Sequence, residues 1–245
     1  MAKLGTYKLE LIGHEVPLVI YRERRASVRV SIGKKNLILR VPTMVTDSML
    51  QQHIDWAKNW IEKQLANNST ILDKFITKKY DDGDLIHITG KMYRLSLSIE
   101  KRKTSSGRVI GDTLYLKLNR DLSDNQNQSA ITKLVRRLIA MDCTADVAQR
   151  ILALNKAYFQ KDIKAVRLKY NTSNWGSCSS SSNINISTRL LLAPREVQDY
   201  VFIHELAHLV EMNHSPRFWK IVRDVMPNYE EKEEWLKKHG HLCRL

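Results

Sequence analysis

The feature that most constrains this chain is His204-Glu205-Leu206-Ala207-His208, set within the otherwise apolar run Val201 to Val210. Such a run predicts a helix, and two histidines at i and i+4 lie about 40° apart around its axis, so both imidazoles leave from one face. Two ligands are thereby aimed at one ion. Glu205 is turned about 100° from His204, off the ligand direction but within reach of a water on that ion. This is the division of labour of a water-activating zinc site, in which the ion lowers the pKa of its water towards ~7 while a carboxylate takes the proton and returns it to a leaving amine. With 8 His in 245 residues, an HExxH arises by chance in about one shuffled sequence in a hundred. Burying two imidazoles and a carboxylate in an apolar helix for structure alone would be costly.

A catalytic zinc takes three protein ligands. The leading third ligand is His214, five residues beyond His208, the gap of the metzincin motif HExxHxxGxxH with Glu211 in place of its glycine. Asn213, which tolerates the left-handed conformation, can end the helix, and Ser215-Pro216 can cap and start the next one. The competitor is a downstream glutamate from Glu230, Glu231, Glu233 and Glu234, which together read as a solvated helix start. His239, His241 and Cys243 form a metal-friendly tail of the kind that is usually exposed or frayed. His14, His53 and His87 lack ligand partners nearby and read as structural.

Around this motif the pattern predicts an α+β fold. Residues 7–42 and 84–118 alternate apolar and polar as strands, with a turn over Lys103 to Gly107, and a helical period runs from Thr46 to Asn67-Asn68-Ser69. A long helix or helix pair is expected from residue 131 to Phe159, then strands over 163–170 and Ile184 to Leu192, and then the helix opened by Pro194. The halves suggest a β-rich basic region, 1–122, before a core of 123–245 that carries the site, although a single domain is compatible with the length.

The formal charge is +14, and residues 1–120 carry most of it, with 22 Lys and Arg against 12 Asp and Glu. Arg22, Arg24, Arg25 and Arg29, then Lys34 and Lys35, then Lys101, Arg102 and Lys103 could meet nucleic acid, or simply keep strand edges and turns solvated. No run of 18 apolar residues implies a membrane span, the first residues lack the apolar core of a secretory signal, and three separated cysteines suit a reducing, cytoplasmic setting.

Several blocks stand in a specific order: Trp175-Gly176-Ser177-Cys178-Ser179, Arg189-Leu190, Pro194, Asp199-Tyr200-Val201, the HExxH residues, and Asn213-His214-Ser215-Pro216-Arg217-Phe218-Trp219. In these the chain resembles the YgjP-like metallopeptidase family, which in turn looks related to SprT-like proteases. The resemblance implies a zincin-like, minigluzincin-type core, with the HExxH helix beside an antiparallel sheet. It also implies one zinc on three histidines, the motif glutamate as base, and a peptide or protein substrate. Two departures stand out. Asn174 occupies a place where the family usually has Arg, and Ser187-Thr188 stand where it tends to have an Asn before the Arg-Leu pair.

The Trp175 to Cys178 segment reads equally as a cleft rim and as core packing, and Phe218 and Trp219 as packing that holds His214. Two rival functions are hydrolysis of a non-peptide substrate such as a nucleotide phosphoanhydride, and a nucleic-acid-associated module with a structural zinc. Glu205 argues against the second, since a structural site has no use for a base. The absence of a Gly-rich phosphate loop weakens the first.

Overall fold

The structure, a computed structural model, describes residues 2–33, 36–67, 71, 75 and 78–245; Lys34, Lys35, Asn68 and Ser69 lie outside the described residues. The chain divides into two units, residues 1–77 and 78–245.

In the first unit, β1 (Ala2–Leu11), β2 (His14–Glu23), β3 (Arg29–Ile32) and β4 (Leu37–Pro42) form a sheet of order β1-β2-β4-β3. The outer pairs are antiparallel and the central β2–β4 pair is parallel. The β1–β2 turn holds both Ile12 and Gly13 at positive φ, 50° and 73°, as a tight hairpin with right-twisted strands requires. Helix α1 (Asp47–Asn67) starts at Thr46, whose hydroxyl accepts the Met49 N–H at 3.4 Å. Its Leu50, Ile54, Ala57 and Ile61 complete a core with Leu18, Ile20, Leu37 and Leu39.

The second unit opens with β5 (Leu85–Ile88), β6 (Lys91–Glu100), β7 (Ser106–Ile110) and β8 (Thr113–Asn119), in the order β5-β6-β8-β7 and again with a parallel central pair. Ser106 and Gly107, expected in a turn, belong to β7. Gly107 lies so close to the next helix that a Cβ would come within 2.9 Å of Leu138. That helix, α2 (Asp124–Leu154), is a single rod extended by a π-helical turn to Phe159, and Gln126 Oε1 accepts the Ser123 N–H at its start. The division expected near residue 122 falls inside this unit, because Ile86, Tyr93, Leu95 and Leu116 of the strands share one core with Val135, Leu138 and Ile139 of α2.

The chain then forms β9 (Ala165–Lys169), β10 (Gly176–Cys178) and β11 (Asn183–Ser187), a sheet of order β10-β11-β9. It is mixed: β10 runs antiparallel to β11, and β9 parallel. The strand expected to reach Leu192 stops at Ser187 and gives way to a 3-10 turn over Thr188–Leu192. There Arg189 donates to the carbonyls of Thr172, Gly240 and Cys243. Three helices follow: α3 (Arg195–Ala207), α4 (Pro216–Val225) and α5 (Tyr229–His239). The tail expected to fray is instead packed. Cys243 and Leu245 are buried, and Arg136 donates to the Leu245 carbonyl. Among the described residues no helix is long and apolar enough to cross a membrane.

Candidate metal centre

Helix α3 is fixed at its start by polar contacts and along its length by apolar ones. Arg150 of α2 donates to Gln198 Oε1 at 2.7 Å and pairs with Asp199, while Gln198 Nε2 donates to the Ala193 carbonyl. Val197, Val201, Phe202, Ile203 and Leu206 are buried, which leaves His204 and His208 to leave α3 on a less apolar side. The helix ends in tight turns, with the Leu209 and Val210 N–H groups donating to Leu206 and Ala207 at 3.0 Å. Asn213 does not take the left-handed conformation expected of it; among the described non-glycine residues only Ile12, Gln160 and Ser182 have positive φ. Ser215 then caps α4, accepting the Phe218 N–H, with Pro216 in the first turn.

This route returns His214 to α3. His214 Nε2 stands 3.0 Å from His204 Nε2, and one ligand atom from each of His204, His208 and His214 lies within 4.8 Å of the others. His208 Nδ1 faces the Glu211 carbonyl at 3.1 Å. An Nδ1–H there leaves the Nε2 lone pair for an ion. Two nitrogens around a tetrahedral zinc stand about 3.3 Å apart at ~2.05 Å bond lengths, close to the 3.0 Å between these two. Burial, reinforced by the neighbouring histidines, lowers the His204 pKa from 6.5 to about 3, and burial lowers that of His208. These shifts favour neutral imidazoles at His204 and His208. Phe218 lies under the trio, its centroid 4.5 Å from His208 and 4.9 Å from His204, and Trp219 stacks on His214.

The glutamates of α5 are otherwise engaged. Glu230 pairs with Arg223, Glu231 with Lys232, Glu233 with Lys237 and Glu234 with Lys238. None of them joins the histidine group. His239 lies beside Trp235.

Glu205 is 5% exposed and lies against β10. Its carboxylate accepts the Cys178 N–H, yet burial outweighs that bond and pushes the pKa from 4.5 to about 8. Gly176 is the residue that makes room for it, since a Cβ there would stand 2.5 Å from Glu205 Oε1 and 2.7 Å from Cγ. The Cys178 thiol, raised to about 11 by burial and then by Glu205, is held protonated. Trp175 serves both readings of its segment: Arg189 covers its ring at 4.2 Å and Gly240 packs against its edge, while it also lines the cleft. That cleft, about 600 Å³, runs past the three histidines and Glu205 between β10 and α5, where Leu236 and Glu233 form the far wall. The motif alone could not have revealed Gly176 or the Cys178 N–H, because they meet Glu205 only across the fold.

The basic residues of the first unit are partly folded back on it. Arg22 donates to the Val45 carbonyl, Arg25 to that of Ser27, and Glu23 pairs with both Arg25 and Arg40.

The family described as "YgjP-like, metallopeptidase domain" matches residues 24–239. Among solved structures, the metallopeptidase zymogen abylysin of Pyrococcus abyssi is similar at 25% identity and a TM-score of 0.35, covering 40% of this chain and 96% of that one. The zymogen jannalysin of Methanocaldococcus jannaschii is similar at 19% identity and a TM-score of 0.34, covering 39% and 96%. No curated protein gives a match.

Proposed function

The chain belongs to the YgjP-like metallopeptidase family, and from that premise we propose that it cleaves peptide bonds with one zinc ion on His204, His208 and His214 and with Glu205 as general base. A metal cofactor follows from the family, and a donor set of three imidazoles suits zinc. Zinc bound there supplies Lewis acidity toward water and the scissile carbonyl. The chain's own residues do the rest. Glu205 takes a proton from the attacking water and delivers it to the departing amine. Burial raises its pKa above the ordinary carboxylate value, which favours its taking up the proton. The Glu211 carbonyl orients His208, and Phe218 and Trp219 hold the rings in place.

The observation that carries this reading is the burial of the Glu205 carboxylate on Gly176, in the same cleft as the three histidines. A structural zinc would have no need of it. The cysteines are free thiols, two of them buried, which supports a reducing, cytoplasmic setting.

The test is metal analysis of the purified protein with a peptide-library digest. One zinc per chain and peptide cleavage are expected, and His214→Ala should weaken zinc binding at least about 100-fold, beyond the cost of losing a ligand's supporting partner. Full zinc in His214→Ala together with loss in Glu230→Ala or Glu234→Ala would move the third ligand to α5. Cleavage of nucleotides but of no peptide would replace the substrate class.

A further inference from the structure

Two cavities away from the metal centre lie on one face of α2. The first, about 460 Å³, is lined by Lys103, Ser105 and Asn119 together with Gln126, Ala130 and Lys133. The second, about 450 Å³, is lined by Lys133, Arg137, Met141 and Thr144 with Lys169 and Tyr170 from the end of β9. They meet at Lys133. Gln126, Ala130, Lys133, Arg137, Met141 and Thr144 are spaced three or four apart, so they form one stripe along the helix. At 1.5 Å per residue the stripe runs about 27 Å, the length of about eight residues of extended chain.

The chemistry of this stripe is one-sided. No Asp or Glu lines either cavity. Lys103, Lys133, Arg137 and Lys169 make no ion pair among the described residues, whereas most of the glutamates of α5 hold a cation of their own helix. Arg136 is already used, by the Leu245 carbonyl and by the Tyr170 ring 3.6 Å below its guanidinium. Between the cations the floor is apolar, with Leu122 and Leu134 at one end and Leu168 and Ala140 at the other, beside the exposed Met141.

We infer that this groove binds an extended acidic segment of a protein, with carboxylates on Lys103, Lys133, Arg137 and Lys169 and apolar side chains between them. Nucleic acid fits less well. The aromatic ring in the lining, Tyr170, is covered by Arg136 and offers no platform for a stacked base. The groove would tether substrates away from the cleft, a role that rests on the peptidase reading, but binding itself does not.

The experiment uses the full chain and fluorescence anisotropy at low salt with three labelled probes: a ten-residue peptide alternating glutamate and leucine, the same peptide with glutamine for glutamate, and a ten-nucleotide oligothymidylate. The glutamate peptide should bind best, and raised salt should weaken it. The triple variant Lys133→Glu, Arg137→Glu, Lys169→Glu should lose about tenfold or more in affinity, with cleavage of a short neutral peptide unchanged. Should the reversed charges disturb folding, Lys133→Gln, Arg137→Gln, Lys169→Gln serves as the milder variant and should show the same direction. Equal binding of the glutamine peptide, or glutamate-peptide binding indifferent to both variants, overturns the inference. So does oligothymidylate binding that the variants abolish when the acidic peptide does not bind, which would assign the groove to nucleic acid. Because binding needs no turnover, a failed peptidase reading leaves this result standing.

Discussion

The sheets β1–β4 and β5–β8 share strand order and strand directions, and each leads into a long helix, yet only the second shares its core with the helix that bears the candidate site. The first closes its core with α1 and the strands around it. The second shares its core with α2, the third sheet and α3. The difference is sharpest at the corresponding hairpin turns. The β1–β2 turn, Ile12-Gly13, is exposed at Ile12 and, among the described residues, bonded only within its hairpin, whereas in the β5–β6 turn the Thr89 N–H donates to the Leu191 carbonyl and its hydroxyl to the Ala193 carbonyl at 2.6 Å. That second turn therefore grips the segment from which the HExxH helix starts. Identical sheet topology thus becomes scaffold or site support according to what packs on it, as expected when function resides in a site and not in a fold.

If the division is right, chemistry should fail only when the second unit is touched. The largest effect is expected for Glu205→Gln, which should retain zinc and lower kcat by about 10³-fold, within the usual range for a lost general base. Loss of metal along with activity would make Glu205 a ligand. Next comes a pair of glycine substitutions. Gly176→Ala pushes the Glu205 carboxylate off its seat and should lower kcat by about 10²-fold, the order of effect of a misplaced reacting group, with little change in KM. Gly13→Ala, at φ 73° with open space around it, should cost about 1 kcal/mol of stability and no activity. Equal kinetic damage from both would erase the contrast between the units.

A smaller effect concerns pH in metal-free protein. The raised Glu205 pKa favours the protonated folded form, so its contribution is full below about 4.5 and is lost as pH rises to about 8. The lowered pKa of His204 acts the opposite way, and only below 6.5. Between pH 6.5 and 8, therefore, the Tm of the second unit should fall by roughly 5 °C, and Glu205→Gln should flatten that slope in a calorimetric series. A slope of equal size in the variant would place its source elsewhere. The smallest effect is Thr89→Val, which removes one hydrogen bond to Ala193 and should cost about 1 kcal/mol, read as a Tm shift of roughly 3 °C. No shift at all would mean that the turn does not support α3.

Local pattern was enough for much of this molecule. Alternation and helical period disclosed the strands of both sheets, α1, α2 and α3. The i, i+4 histidines and the five-residue gap to His214 pointed to a ligand set before any contact was known, because ligands on one helix and the turn after it are set by local geometry. What local pattern could not supply was every relation between distant residues. That β5–β8 belong with α2, and not with the strands before them, depends on which apolar faces bury one another. The parallel β9–β11 pair, the turn at Thr188–Leu192 and the packed tail around Arg189 likewise arise from long-range contacts. The same holds for the seat of Glu205: a carboxylate 29 positions beyond Gly176 acquires its burial, its Cys178 hydrogen bond and its raised pKa only when β10 is laid against α3. Which residues come together as the candidate ligand set was written in their spacing. The environment that tunes them was decided by packing, since desolvation is a property of everything that surrounds a group in space.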